Sequence, residues 1–226
     1  MRIFALSDLH LSFSCEKPMD VFGDVWKDHA ARIEENWQNT VSADDVVLVA
    51  GDISWAMSMQ EAEKDLAFLG RLNGTKIILR GNHDYWWSSV TKVRSAVSDS
   101  VLAVQNNSFR VGDYAVGGTR LWTIPDGEAK PEDIRIYERE LERLRLTLKS
   151  MPDGCERIVM THYPPIDPVN METRASAMMK EYGVSTVVYG HLHGRAHHGA
   201  VTGVHDGIRY VLTSADYLRF TPARIY

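Results

Sequence analysis

The 226-residue sequence has only two cysteines, Cys15 and Cys155, far apart and without C-x-x-C spacing. That excludes a disulfide framework and a zinc site built from thiolates, and makes a reducing cytoplasm the expected compartment. No run approaches the ~18 apolar residues that a membrane span needs. The first residues, M-R-I-F-A-L-S-D-L-H, hold too short an apolar run for a signal peptide, so residues 2–7 are expected to form structure at once. Positive charge is scarce as well: 25 Lys and Arg stand against 30 Asp and Glu, a formal net charge of −5. Such a balance offers no clear nucleic-acid surface, because that needs a basic face. Neither a G-x-S-x-G elbow nor a cysteine nucleophile motif occurs, so no side chain stands out as a covalent nucleophile. Repeats, low-complexity tracts and linkers are absent too, which points to one domain over 1–226.

What the chain does have is a series of short apolar, β-branched runs at 2–7, 46–50, 76–80, 157–161 and 186–190. Runs of this kind read as strands buried on both faces, in a sheet covered by helices. Between them the spacing predicts helices over 24–37, with Val25, Ala30, Ile33 and Trp37 on one face, and over 59–72, ahead of Gly74. The longest predicted helix starts at Pro131 and runs to Ser150, with a core stripe of Ile134, Tyr137, Leu141, Leu144 and Leu148. Residues 101–122 read as strands with hairpin signals at Asn106-Asn107 and Gly112-Asp113, and 196–226 as further strands around Gly203 and Asp206-Gly207. The sum is an α/β domain.

Polar residues able to hold a metal follow these strands again and again. Asp8 and His10 come after the first, Asp52 after the second, and Asn82, His83 and Asp84 after the third. His162 follows the fourth, His191 and His193 the fifth. Ligands of open α/β sheets bind beyond the carboxyl ends of the strands, so these side chains are expected to meet. Carboxylate, imidazole and amide donors without thiolate suit manganese, iron or zinc. Seven candidates (Asp8, His10, Asp52, Asn82, His162, His191 and His193) are too many for one ion, but fit two four-donor sites that share a carboxylate.

In this order the blocks Asp8-Leu9-His10, Gly51-Asp52, Gly81-Asn82-His83-Asp84, His162 and Gly190-His191-Leu192-His193 resemble the calcineurin-like metallophosphoesterases. The resemblance implies a four-layer α/β/β/α sandwich as a single metallophosphoesterase domain, with two divalent metal ions as cofactors. One ion would be held by Asp8, His10, Asp52 and His193, the other by Asp52, Asn82, His162 and His191. It also implies hydrolysis of a phosphomonoester or phosphodiester by a hydroxide that bridges the ions. Asn82 and His83 would bind the phosphate, with His83 as proton donor to the leaving oxygen and Asp84 orienting its ring through a hydrogen bond. The substrate would be a phosphorylated small molecule or nucleotide; a dinucleoside polyphosphate or a phosphoprotein is the alternative. Arg80-Gly81-Asn82-His83 is shared with the protein-phosphatase branch, but Gly51-Asp52-Ile53-Ser54 departs from its G-D-x-x-D-R-G pattern. A non-catalytic scaffold on the same fold is the rival class, and the unbroken set of candidate ligands speaks against it.

Other polar and aromatic residues are assigned structural roles. His29 and His205 read as satisfied histidines. His197 and His198, taken as neighbours in a strand, would point to opposite faces and could not share a site. Arg80 is expected to pair with a local acid. Trp55, Trp86, Trp87 and Trp122 are expected to pack elements together rather than stack a base. Specificity is expected from loops 11–24, 53–60, 120–132 and 163–178.

Overall fold

Each of the five apolar runs becomes a buried strand in the computed structural model, which describes all 226 residues. They are β1 (Ile3–Ala5), β2 (Val46–Val49), β3 (Thr75–Ile78), β7 (Glu156–Thr161) and β8 (Val184–Tyr189). Six more strands complete the set: β4 (Val101–Ala103), β5 (Ser108–Val111), β6 (Tyr114–Thr119), β9 (Gly203–His205), β10 (Ile208–Leu212) and β11 (Ala223–Arg224). One sheet has the order β11-β1-β2-β3-β4, the other β5-β6-β7-β8-β10-β9. Both are parallel at their centres; three margins are antiparallel, where β11 joins β1, β5 joins β6 and β9 joins β10, while the fourth, β4, runs parallel to β3.

Side chains alternate across each strand, and this builds the layers. Ile3, Leu48, Ile77, Ile158, Met160 and Val188 meet between the two sheets. Phe4, Val47 and Val49 point the other way, towards Ile33, Trp37, Leu66 and Leu69. Those residues belong to α1 (His29–Thr40) and α2 (Met59–Arg71), which with α3 (Val90–Ala96) supply the helical elements on that side. On the far side Val159, Val187 and Tyr189 pack on Tyr137, Leu141, Leu144 and Leu148 of α4 (Pro131–Ser150), alongside α5 (Arg174–Glu181). The result is the expected α/β/β/α sandwich, with three apolar interlayers.

Local signals place the helix ends. The Ser58 side chain accepts from Glu61 N at 3.3 Å, and the Glu61 carboxylate reaches back to Met57 N at 2.8 Å. Thr173 and Ser176 form a reciprocal capping box at the start of α5. Two hairpin turns are as read: Gly112-Asp113 joins β5 to β6, and Asp206-Gly207, both at positive φ, joins β9 to β10.

Four expectations need correction, and one helix was missed. The helix predicted over 24–37 is broken: a short 3-10 turn covers Asp24–Trp26, and α1 begins only after Asp28, whose φ of 53° no helix tolerates. Val25 is accordingly exposed. Asn106-Asn107 is no hairpin, because β4 and β5 lie in different sheets and the turn carries the chain between them. Residues Gly194–Gly199 form a 3-10 turn rather than a strand. α3, which is too short to show a periodic stripe, was not anticipated. On α4, Ile134 is exposed, while Glu140 and Thr147 take buried positions on the face turned to the sheet.

Candidate metal centre

The loops after β1 and β2 are zipped together by main-chain bonds, Asp8 N to Gly51 O and His10 N to Asp52 O, both 3.0 Å. This register sets the side chains of Asp8, His10 and Asp52 side by side. Asp8, His10, Asp52 and His191 all occupy the left-handed region, at φ of 59°, 46°, 50° and 73°. Each such residue costs of order 1–3 kcal/mol, and strain of this kind gathers where a constellation must be held. Gly190 contributes room rather than a turn: a Cβ there would stand 2.2 Å from Asp8 Oδ2. Gly81 does the same for Asp52, whose Oδ1 would be 2.1 Å from an added Cβ.

The seven predicted donors converge, and they do so in two groups. In the first, His10 Nε2 is 3.3 Å from His193 Nε2 and 3.9 Å from Asp52 Oδ2, and His193 Nε2 is 3.5 Å from Asp8 Oδ1. In the second, His162 Nε2 is 2.6 Å from Asn82 Oδ1 and 3.4 Å from Asp52 Oδ2. His191 Nδ1 completes it, 3.0 Å from Asn82 Oδ1 and 3.3 Å from His162 Nε2. Asp52 Oδ2 faces both groups. Asp8 lies between them, since it also comes within metal-sharing distance of Asp52 and His162.

The ring tautomers make these groups suitable for cations. His162 Nδ1 faces the Ala50 carbonyl at 3.0 Å and His193 Nδ1 faces Asp216 Oδ1 at 2.9 Å. An acceptor at Nδ1 fixes the proton there, so in the neutral ring Nε2 is a bare lone pair. The 2.6 Å approach of His162 Nε2 to Asn82 Oδ1 then sets a lone pair against an acceptor oxygen, and His193 Nε2 turns its lone pair to Asp8 Oδ1 at 3.5 Å. A cation or an added proton relieves both, and the donor set fits divalent ions of the manganese, iron or zinc type. Burial lowers His10 to about 4 against the pull of Asp52 and Asp8, and burial with His162 nearby lowers His191 to about 4. Burial also opposes charge on His162 and His193. Asp52 and Asp8 nevertheless raise His162 to about 9, and Asp216 and Asp8 raise His193 to about 10. Protons are thus drawn onto one imidazole of each group, where cations would compete with them.

His83 stands beside the groups without joining them. Its main-chain N–H donates to Asp52 Oδ1 at 2.8 Å, and its ring packs on Trp55 with centroids 4.4 Å apart. Asp84 does not orient that ring, contrary to expectation. It is fully buried, and its carboxylate accepts from Ile53 N, Ser54 N and Trp86 Nε1 on Oδ1 and from Gly81 N on Oδ2. Four donors on one carboxylate make it the clasp of the Gly51–Ser54 and Gly81–Trp86 loops.

Several roles escaped the sequence. Asp216, after β10, orients His193 and also accepts from Gly194 N at 3.0 Å. The signal was available, since Ser214-Ala215-Asp216 repeats the pattern of an acid following a strand. His197 comes within 3.3 Å of Asp216 while His198 is exposed, so only one of that pair turns to the site, though through a 3-10 turn. His29 bonds the His10 carbonyl at 3.2 Å and is satisfied as expected. Trp86 and Trp87 are buried packing residues, and Trp122 packs on Tyr163. Trp55 differs, for it stacks on His10 at 4.9 Å and walls the site. The opening above the donors encloses about 380 Å³, bounded on one side by Met19, Phe22, Val25, Trp26 and Trp55.

Comparison with known proteins follows the same lines. An uncharacterized protein of Methanocaldococcus jannaschii is 33% identical over 88 residues, which make up 37% of this chain and 47% of that protein. The chain therefore aligns with about half of that relative's length. A solved structure of a phosphopantetheinyl hydrolase from Mycobacterium tuberculosis superposes with a TM-score of 0.62 at 17% identity, covering 99% of this chain and 95% of that one. A protein of unknown function from Aquifex aeolicus gives 0.54 at 14%, with the same coverage. At these identities the two structures share the fold. The family model for calcineurin-like phosphoesterases matches residues 1–195, the stretch that carries all seven converging donors, and the chain belongs to that family.

Proposed function

We propose that the chain hydrolyses a phosphomonoester or phosphodiester with two divalent ions, and that residues 1–226 work as one domain. The observation that carries this reading is the position of Asp52 Oδ2, which faces a nitrogen of His10 on one side and of His162 on the other. Asp8, His10, Asp52 and His193 would hold one ion, and Asp52, Asn82, His162 and His191 the other. Bound there, the pair would supply the positive charge that clamps phosphoryl oxygens and the acidity that makes water a nucleophile at neutral pH. The chain's own residues do the rest. Asn82 and His83 would bind the phosphate, and His83, which lines the opening outside both groups, would give a proton to the leaving oxygen. With every predicted ligand present and convergent, a non-catalytic scaffold has little support.

The wall of Met19, Phe22, Val25, Trp26 and Trp55 favours an ester whose leaving group is apolar. A phosphopantetheinyl ester, the kind named for the structural neighbour, belongs in the substrate panel beside nucleotides, dinucleoside polyphosphates and aryl phosphates. We place the protein in the cytoplasm, where Cys15 and Cys155 would stay the free thiols they are here.

Asp52→Asn tests the centre, because it weakens the shared ligand. Metal analysis should find both ions depleted, and turnover should fall by at least ~10²-fold. Wild-type turnover in a folded variant would end the two-ion reading.

A further inference from the structure

A second cavity, of about 250 Å³, opens where β3 and β6 end, at the seam between the two sheets, under α4. It shares no lining residue with the opening above the metal donors. Four arginines line it: Arg80 two residues after β3, Arg120 directly after β6, and Arg139 and Arg143 on α4. In a chain with a formal charge of −5, that is a marked concentration of one sign.

A structural ion network would need acids to match, and there is one. Glu140 is fully buried, and its carboxylate is already engaged: Oε2 accepts from Thr119 Oγ1 at 2.5 Å, Oε1 from Arg143 at 2.8 Å. Arg120 and Arg139 come only to 4.0 and 3.9 Å of Oε1. Arg80 forms no ion pair, and the buried Nε atoms of both Arg80 and Arg120 lack a hydrogen-bond partner. The Arg120 guanidinium carbon sits over the Trp122 ring, 4.6 Å from its centroid, a cation–π contact that helps hold it in place. Burial, against the pull of Glu140 and helped by nearby Arg80 and Arg139, holds Arg120 below the usual guanidinium range. Buried donors without acceptors are destabilising, most of all on charged groups, so this cavity is short of an anion.

We propose that the arginine cavity is a second anion site, built for a phosphate group and separate from the metal centre. Guanidinium forks match the tetrahedral oxygens of phosphate and would each give paired, charge-assisted bonds. The site is joined to the centre through the main chain. The Arg120 carbonyl accepts from His162 N at 3.2 Å and Tyr163 N at 2.9 Å, and Arg80 is bonded to Gly81, which makes room for Asp52. The anion has two possible sources with the same chemistry: a free phosphate or phosphorylated metabolite, or the far phosphate of a substrate that bears two.

Titration calorimetry of the metal-loaded protein with inorganic phosphate tests this. Wild type should show two binding events, one at the metals and one that weakens steeply with added salt. The R139Q/R143Q double variant should lose the salt-sensitive event and keep the metal content of wild type. R80Q, which leaves α4 and Glu140 untouched, should weaken the same event at least tenfold and guards against misfolding of the double variant. A single event in wild type, or two undiminished events in both variants, would overturn the proposal. Kinetics then separate the sources. A rise in KM confined to doubly phosphorylated esters in R139Q/R143Q assigns the anion to the substrate. Loss in that variant of a non-competitive effect of added phosphate assigns it to a free ligand.

Discussion

Gly190 sits where the Asp8 carboxylate and the His191 main chain meet, and the bond from His191 N to Asp8 Oδ1 at 3.0 Å passes beside it. Adding one methyl there drives a carbon to 2.2 Å from an oxygen that is itself fully buried and has nowhere to retreat. Gly190→Ala is therefore expected to displace Asp8, to cut metal affinity ~10–100-fold and activity with it, while the far cores stay intact. Metal titration against a thermal melt checks this, and full metal affinity in the variant would show that the carboxylate can move. At this scale the sequence was most informative about identity and least about aim. All seven donors could be named from their place after strands. Yet neither the left-handed backbone at His191 nor the four bonds that occupy Asp84 could be read there. Both depend on which loops lie side by side, and no local pattern carries that.

Among the elements, the first strand is tied down by a charge. Arg2, just before β1, donates through its main chain and guanidinium to Asp45, which leads into β2 and also accepts from Ser42 N at 2.9 Å. The hydrogen bonds from Arg2 outweigh burial and hold the Asp45 carboxyl down at about 2. Because the folded value lies below the ordinary one near 4, this stabilisation is complete above about pH 4 and fades as pH falls through about 2. Asp45→Asn should thus melt at a lower temperature than wild type at pH 7. The gap should close between pH 4 and pH 2, and a gap that stays constant over that window would place the loss in packing instead. Lys76 gives the matching lesson at the end of α2. Though fully buried in β3, it gives its ammonium to the carbonyls of Leu72 and Gly74 at 2.6 and 2.8 Å, and burial lowers it to about 8. The helix and strand themselves were readable from apolar period and caps. That a lysine inside a strand closes a neighbouring helix end was not, since a charged residue in an apolar run looks like a solvated position.

For the whole molecule, the four layers follow from strands that are apolar on both faces, which is why the architecture was within reach of the sequence. The middle layer is made jointly by both sheets, so they should unfold together. Ile158→Ala, in that layer, is expected to cost ~2–5 kcal/mol and to shift a single denaturation transition without splitting it. Two separated transitions would mean that the sheets are independent units. What could not be read was the pairing of distant segments, including β11 lying against β1 and Tyr226 O accepting from Ile3 N at 3.0 Å. Ser7 Oγ likewise meets Thr213 Oγ1 at 2.8 Å across 206 positions. This closure has a consequence during synthesis. At ~5–20 residues per second, a ribosome would make Thr213 roughly 10–40 s after Ser7. Between the making of Asn82 and that of His162, Asp8, His10, Asp52 and Asn82 would be the four of the seven proposed ligands already made, with His193 and its Asp216 support still to come. On the proposed two-ion reading, the nascent chain would present a partial, less selective set of ligands before the finished one, and the ions at hand during translation would be the first it meets.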